Sequence, residues 1–208
     1  MRLGHIEYDR GMARWQPDAQ GRLLRAALEL FAERGYEATT TAQIAERAGL
    51  TKTTLFRLFA DKREIVFQGQ GMLIALVHKG VTESAENISA SQLMVNGVRE
   101  LTSAHTDEQR ATGRILDPIL AANPDLNERA LAKRFAITAA LEGALIERQV
   151  DKWQAGVLAD LGIRAYYAGY EGWVKSDSAD ALFPYVLERL RLLQRAARLV
   201  DEESVLSS

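Results

Sequence analysis

The segment that decides the fold is residues 40–59, which read TTAQIAERAGLTKTTLFRLF. Two short helices that cross steeply need a small residue where their backbones approach, and a residue that accepts positive φ at the turn. Ala45 and, four positions later, Gly49 meet these needs, and Thr51 is a suitable N-cap for the second helix. The apolar anchors for this second helix are Ile44, Leu50, Leu55, Leu58 and Phe59. The spacing therefore predicts a helix-turn-helix.

The outer face of the second of these helices carries chemistry suited to DNA. A projection at about 100° per residue places Leu55, Leu58 and Phe59 on the inner side. The outer side is basic and rich in hydroxyl groups, with one ring: Lys52, Thr53, Thr54, Phe56 and Arg57. Such side chains can bind base edges and phosphates in a major groove. These residues alone leave open an ordinary helical hairpin with a solvated face.

Helical spacing extends over the rest of the chain. From Ala19 to about Arg34 the apolar stripe is Leu24, Ala27, Leu28 and Phe31, and Gly35 fits a C-cap. Asp61 is expected to cap a fourth helix that runs through to Val77. Further helices are predicted at residues 90–104, 107–121, 125–150, 155–175 and 180–199. The fold class is therefore all-α, with about nine helices in total.

Composition narrows the function classes. The 208 residues are 47% hydrophobic and include no cysteine, which excludes disulfides and thiolate metal sites. No apolar run is long enough to cross a membrane, and a cytoplasmic location is expected. The net charge is −2, yet five basic residues and one acid lie between Arg47 and Arg63. This short positive segment favours a small phosphate-contacting surface, although a charged helix face often has the same composition.

The stretch GRLLRAALELFAERGYEATTTAQIAERAGLTKTTLFRLFADKREIV (Gly21–Val66) closely resembles the DNA-binding domain of the TetR family of bacterial transcriptional regulators. The resemblance implies a flexible arm at 1–17, a three-helix helix-turn-helix domain at 18–66, and a helical ligand-binding and dimerisation domain at 67–208. It also implies a homodimer bound to palindromic double-stranded operator DNA, with half-sites about one DNA turn apart. Arginines in the arm (Arg2, Arg10 and Arg14) are within reach of a DNA groove if the arm is ordered.

The resemblance also assigns roles to particular residues. Thr40 and Thr41 are expected to contact phosphate, and Lys62 to hold the DNA backbone from the start of the fourth helix. Lys52, Thr53, Thr54, Phe56 and Arg57 are expected to face the groove. Family members usually have tyrosine where this chain has Phe56, and often histidine or tyrosine where it has Leu58. Both departures remove a polar group that commonly reaches phosphate. Thr53 stands where glycine is frequent and adds a possible base contact.

The last two helices predict the dimer interface. The final helix has the stripe Phe183, Val186, Leu187, Leu190, Leu193 and Ala197. The helix before it has a strip of small residues (Ala165, Ala168, Gly169 and Gly172) beside Tyr166, Tyr170 and Trp173. Exposed stripes of this size would form a large apolar patch on a monomer. By resemblance, Ile163–Trp173 and Leu182–Leu199 are expected to pair with a second subunit. Packing within one subunit is the alternative.

An effector pocket is expected among the C-terminal helices. Candidate wall residues are Met72, Leu76, Met94, Phe135, Tyr166 and Tyr170, and candidate polar anchors are His78, Arg99, Thr138 and Glu142. Each also fits a core or surface position that has no ligand. A mainly apolar lining favours a hydrophobic or aromatic small molecule.

The sequence and its resemblance therefore predict a transcriptional regulator, expected to be a repressor, that an unknown small molecule releases from DNA. No cofactor, metal or catalytic residue is expected. A DNA-binding regulator without small-molecule control is one alternative. A helical enzyme is the other, and the scattered histidines His5, His78 and His105 and the lack of a known catalytic motif argue against it.

Overall fold

The computed structural model describes residues 18–204, with side chains described as far as residue 198. The predicted arm at 1–17, with its three arginines, lies outside the described residues. Within 18–204 the chain forms ten helices and no strand, which confirms the all-α prediction. They are α1 Ala19–Arg34, α2 Thr41–Arg47, α3 Lys52–Leu58, α4 Lys62–Val66, α5 Gln70–Thr82, α6 Ala90–Thr102, α7 Asp107–Ala122, α8 Pro124–Glu147, α9 Lys152–Lys175 and α10 Leu182–Ser204.

The described residues form ten helices where about nine were expected, because the predicted fourth helix is two helices. Gly69 has a φ of 82°, so the helix cannot continue through it, and α5 starts at the next residue. Ile65, Phe67 and Leu73 are nevertheless all buried, so their apolar spacing runs across the break. The apolar periodicity therefore predicted one helix where the structure has α4 and α5.

Two hydrophobic cores organise the helices. The first lies among α1 to α4, and its fully buried side chains include Leu23, Ile44 and Leu55. The second lies among α5, α6, α8, α9 and α10, and is built around residues such as Ile137 and Trp173.

Helix α8 belongs to both cores and ties them together. Its Leu126 is fully buried in the first core, whereas its Ile137 lies in the second. The Arg129 guanidinium donates to Glu64 of α4 at 2.9 and 3.1 Å, and to the Gln70 side chain of α5 at 2.8 Å. One arginine of α8 thus spans the break at Gly69.

The stripes predicted to form the dimer interface are largely used inside the subunit. Ala165 and Gly169 of α9 and Val186 and Leu190 of α10 are buried. A Cβ on Gly169 would lie 2.8 Å from the Val186 backbone nitrogen, so the two helices are in close contact there. These four residues pack within the subunit, whereas Ala168 and Ala197 of the same stripes are exposed, and a dimer through the last two helices stays a prediction. Only the outer faces of α9 and α10 remain for any partner.

Candidate functional site

The turn between α2 and α3 is built as the sequence predicts. Thr40 caps α2 through a capping box in which its hydroxyl accepts a hydrogen bond from the Gln43 backbone nitrogen at 3.3 Å. At the other end, Gly49 has a φ of 64°, and the Leu50 amide donates to the Ala45 carbonyl at 2.8 Å. Thr51 then caps α3 by accepting from the Thr54 amide at 3.1 Å. These local bonds fix the direction in which α3 leaves the turn.

Arg22 of α1 holds this turn from behind, a role that sequence reasoning missed. Its guanidinium donates to the Ala48 carbonyl and, at 3.2 Å, to the Gly49 carbonyl. These carbonyls are at the end of α2, where no helical partner is available. The available signal was an arginine in the first turn of an otherwise apolar helix. Nothing in its spacing reveals a target 26 residues away.

Helix α3 is held by its inner face and exposes its outer face. Leu55 is fully buried and Phe59 nearly so, whereas Lys52, Thr53 and Arg57 are exposed. Phe56 is 53% exposed, which is unusual for a large apolar ring. Thr54 is half-buried and its hydroxyl lies 2.9 Å from that of Thr51. The outer face is therefore accessible to a partner as large as duplex DNA.

Some basic side chains of the segment between Arg47 and Arg63 are paired with acidic residues in the structure. Arg47 is paired with Glu33 at 2.8 Å and Glu29 at 3.2 Å, across to α1. Arg63 lies within 3.5 Å of Asp61. Lys52 and Arg57 are then the basic residues on the exposed face of α3. The surface offers fewer charges to phosphate than the sequence count indicates.

Lys62 is engaged within the chain. Its ammonium donates to the Tyr36 carbonyl at 2.8 Å and to the Thr39 carbonyl at 3.2 Å, and it lies 4.0 Å from the centre of the Tyr36 ring. Thr39 directly precedes the cap residue Thr40, so Lys62 positions the start of α2. An ammonium has three N–H donors, and two of them are used here. A direct phosphate contact by Lys62 remains a prediction.

The ten residues proposed for an effector pocket do not line one cavity. Met72, His78 and Arg99 are exposed on α5 and α6, and His78 is 2.8 Å from Glu147 on the surface. Leu76 is half-buried on α5. A second group lies along a surface groove between α8 and α9: Phe135, Thr138 and Glu142. A third group lies inside the second core: Met94, Tyr166 and Tyr170.

The third group surrounds a histidine that sequence reasoning had treated as isolated. The His105 Nε2 lies 2.9 Å from the Tyr166 hydroxyl, and its ring meets those of Tyr166, Tyr170 and Trp173 edge-on at 5.6 to 6.1 Å. The buried Nδ1 makes no hydrogen bond within the described residues. Burial and, secondly, the charge of Lys133 lower the pKa of His105 to about 4. The ring is therefore neutral at pH 7.

Lys133 of α8 makes this interior positive. Burial and the neighbouring charge of Arg129 lower the pKa of the Lys133 ammonium. It forms no hydrogen bond or ion pair with any residue in the described range. A largely buried ammonium without a carboxylate is costly. We refer below to His105, Lys133, Tyr166 and Tyr170 as the interior cluster.

Two further classes of site are absent from residues 18–204. No helix there combines the length and apolarity that crossing a bilayer requires. No group of three His, Asp or Glu side chains is placed to hold a metal ion in that range.

Comparisons with known proteins agree with the geometry of α1 to α4. Residues 23–68 match the family described as bacterial regulatory proteins, tetR family. The chain is 31% identical over 93 residues to the HTH-type transcriptional activator FasR of Mycolicibacterium smegmatis, covering 45% of this chain and 35% of that protein. It is 47% identical over 47 residues to the HTH-type transcriptional repressor KstR2 of Mycobacterium tuberculosis, covering 23% of this chain and 24% of that protein. The chain thus matches only about a third or a quarter of these relatives' length.

One solved structure has a similar fold over most of the chain. It is the transcriptional regulator FadR from Bacillus subtilis in complex with stearoyl-CoA. The two share 20% identity with a TM-score of 0.54, and the match covers 83% of this chain and 96% of that one. This likeness supports the arrangement of the C-terminal helices as well as of α1 to α4.

Proposed function

Because the chain belongs to the TetR family of bacterial regulatory proteins, we propose that it is a transcriptional repressor that binds a palindromic operator as a homodimer and leaves it when a small molecule binds. The relatives that it matches are named as transcriptional regulators, which supports the prediction that it is not an enzyme. The observation that carries the proposal is the exposed, basic and hydroxyl-bearing face of α3 on a fully buried Leu55 support.

The proposed DNA contacts follow from exposure. Lys52, Thr53, Phe56 and Arg57 enter the groove, and Thr54 contributes the hydroxyl that also bonds to Thr51. Thr40 and Thr41, at the start of α2, lie beside the phosphates. Lys62 positions them through its hydrogen bond to the Thr39 carbonyl. Phe56 contacts a thymine methyl, which a phenyl ring does without needing a hydrogen bond.

DNA titration with fluorescently labelled duplex from the chain's own upstream region tests these contacts. Arg57→Ala should weaken binding at least tenfold while the circular dichroism spectrum stays unchanged. Arg195→Ala, at an exposed position on α10, is the matched control, because it removes the same charge on an element outside the proposed interface, and it should bind as the parent does. Equal binding by the Arg57 and Arg195 variants would refute the proposed interface.

The effector is proposed to bind at the interior cluster. Its aromatic edges suit an apolar body, and the Lys133 ammonium suits one anionic or hydrogen-bond-accepting group. FadR was solved with stearoyl-CoA, so a long-chain acyl-CoA is one compound to test, beside a free fatty acid and an aromatic carboxylate.

Control by such a ligand is proposed to pass through α8. Lys133 and Arg129 are one turn apart on this helix, and Arg129 binds both Glu64 and Gln70 at the α4–α5 break. A shift of α8 would therefore move α4 relative to α5. The test is release of labelled operator by each compound. The parent should respond to at least one, and Lys133→Met should respond at least tenfold more weakly while its ligand-free DNA affinity is unchanged.

A regulator without small-molecule control is the second candidate. The exposure of Met72, His78 and Arg99 favours this candidate, because these three residues were expected to line an effector pocket. Failure of every compound and of a cell metabolite extract to release the operator would select this candidate. The direction of regulation is tested by a promoter–reporter fusion, whose expression should rise when the gene is deleted.

A further inference from the structure

Helix α8 buries one stripe of side chains, and a lysine occupies a position on it. With steps of three or four residues, the stripe consists of Leu126, Ala130, Lys133, Ile137 and Leu141. Leu126, Ile137 and Leu141 are fully buried, and Ala130 packs against the first core. Lys133 therefore lies between the two cores, where the pattern predicts an apolar residue.

No carboxylate in the described part of the chain pairs with this lysine. Glu64 is the acid that α8 binds on α4, and both of its oxygens accept from Arg129, one turn before Lys133. Lys133 itself makes no hydrogen bond or ion pair with a described residue. Burial and, secondly, the Arg129 charge lower the pKa of Lys133, so a larger share of its amine is neutral than in an exposed lysine.

The rest of the interior cluster is aromatic. The charge of Lys133 acts on His105, whose ring meets those of Tyr170 and Trp173 edge-on at 5.6 and 6.1 Å. The Tyr166 hydroxyl lies 2.9 Å from the His105 Nε2. The Lys133 side chain is only partly buried, so it stays accessible to small molecules from solvent. An accessible amine thus adjoins a set of rings that favours an apolar ligand.

We propose that Lys133 is a covalent site for aldehydes with an apolar body, which it binds as an imine. The lone pair of the Lys133 Nζ adds to the carbonyl carbon and forms a carbinolamine. The carbonyl oxygen then leaves as water with both protons of the neutral amine, so a C=N bond replaces the C=O bond without any oxidant or reductant. A desolvated lysine beside a second cation is activated for this reaction. The neutral imine also removes an uncompensated charge from a partly buried position.

This use of Lys133 differs from the proposed effector contact, in which the ammonium binds an acceptor group. The neutral amine forms the imine, and the reaction does not require the chain to bind DNA. The inference therefore goes beyond the proposed function and does not depend on it.

Reductive trapping in the full-length protein tests the site. Benzaldehyde is added at neutral pH with sodium cyanoborohydride, which reduces the imine to a stable secondary amine, and peptide mass spectrometry measures the initial rate at each lysine. Lys133 should be labelled at least about tenfold faster than Lys152, an exposed lysine at the start of α9, because more of its amine is neutral. Equal or slower labelling of Lys133 would overturn the proposal, since burial would then protect the amine.

Glyceraldehyde, a polar aldehyde, tests the ligand class. The preference for Lys133 over Lys152 should be at least about threefold larger with benzaldehyde, because aromatic contacts favour its phenyl ring. The same preference with both aldehydes would refute the assignment of an apolar body.

Substitution of the lysine gives a second test. Lys133→Arg and Lys152→Arg are a matched pair, since each keeps a positive charge and removes a nucleophile; only Lys133→Arg should lose the fast labelling. Lys133→Met should raise the thermal midpoint, because an apolar side chain completes the buried stripe. A lower midpoint for Lys133→Met would contradict the proposal, since the ammonium would then be compensated in the folded chain.

Operator binding is measured on the same protein, so that the two proposals can fail separately. If Lys133 is labelled first but the protein binds no duplex DNA, the imine site stands and the proposed function falls. If the protein binds DNA but Lys133 is labelled no faster than Lys152, the regulator stands and the imine site falls.

Discussion

Two lysines near α3 illustrate how the same side chain takes different roles at the residue scale. Lys52 is exposed, whereas the Lys62 ammonium is held by the Tyr36 and Thr39 carbonyls. Lys52→Ala should leave the thermal midpoint unchanged and reduce the slope of log affinity against log salt by about one. Lys62→Met should lower the free energy of unfolding by about 1–2 kcal/mol, since two buried carbonyls lose their donor.

The two readouts separate the two roles. Thermal melts measure the structural role, and salt titrations of DNA affinity measure the phosphate contact. A Lys62→Met protein with the parent's melting temperature and a salt slope reduced by one unit would show that Lys62 acts on DNA directly. Its bonds to the α1–α2 turn would then contribute little.

His105 predicts a pH dependence of stability. Its pKa falls from 6.5 to about 4 on folding, so between these values the unfolded chain binds a proton that the folded chain does not. Stability is then complete above pH 6.5 and is lost as the pH drops towards 4, by about 3 kcal/mol in total. Lys133, Tyr166 and Tyr170 are the ionisable groups around it, and burial lowers the pKa of Lys133 and raises the pKa of both tyrosines.

Denaturant melts between pH 7.5 and 4.5 test the prediction. His105→Gln should flatten the curve relative to the parent, because the variant has no ring to protonate. His78→Gln is the control variant that removes a histidine at an exposed position instead. Parallel curves for all three proteins would mean that His105 is solvated in solution.

The sequence predicted which residues of α3 are exposed better than it predicted where the effector candidates lie. Lys52, Thr53, Phe56 and Arg57 are exposed as expected, because a short helix with one apolar face has only one way to pack. The effector candidates came from α5, α6, α8 and α9, and their relative placement depends on helix rotation. Helical periodicity does not determine which of two apolar sides faces the core, so Met72 and Phe135 were expected inside but are exposed.

At the element scale, the contact between α9 and α10 depends on one glycine. A Cβ on Gly169 would lie 2.8 Å from the Val186 backbone, whereas a Cβ on Gly172 would meet side chains of α10 at 3.6 Å. Gly169→Ala should therefore destabilise the subunit by about 1–3 kcal/mol through overpacking. Gly172→Ala, three residues along the same helix, should be neutral or stabilising by up to about 1 kcal/mol because alanine favours helix.

Urea unfolding followed by far-UV circular dichroism compares the two variants. Fluorescence would mix the signals of three tryptophans, of which Trp173 is 1% exposed and Trp153 is 81% exposed. Equal midpoints for the two alanine variants would show that α10 packs more loosely than described.

Element boundaries were predicted where local chemistry marks them. Thr40, Thr51 and Asp61 each accept a hydrogen bond from the amide three residues later, as their sequence positions before apolar runs indicate. The break at Gly69 was missed because a lone glycine within apolar periodicity is often tolerated in a helix. Arg129 of α8, far from the break in sequence, packs on the Phe67 ring and bonds to Gln70 on either side of it.

At the scale of the whole molecule, α8 connects two proposed events. It contributes Lys133 to the interior cluster, and it spans the α4–α5 break through Arg129. A ligand that displaced α8 would change the position of α4. Two α3 helices must lie about one DNA turn apart to bind together, so a small change would release the operator.

This arrangement predicts that Arg129→Met uncouples ligand binding from DNA release. The variant should still bind the effector, since Arg129 lies outside the interior cluster, but the concentration needed to release the operator should rise at least tenfold. Calorimetry measures the first quantity and labelled-duplex titration the second. Loss of effector binding itself would place Arg129 in the ligand site.

The central claim is that the outer face of α3 reads duplex DNA as one half of a symmetric pair. Selection of bound sequences from a random duplex pool, sequenced for the parent and for Arg57→Ala, tests it most directly. The account predicts enrichment of a two-fold symmetric sequence with half-sites about one turn apart, and relaxed preference at matching positions in both halves for the variant. Recovery of no preferred sequence, or of a single unpaired half-site, would contradict it.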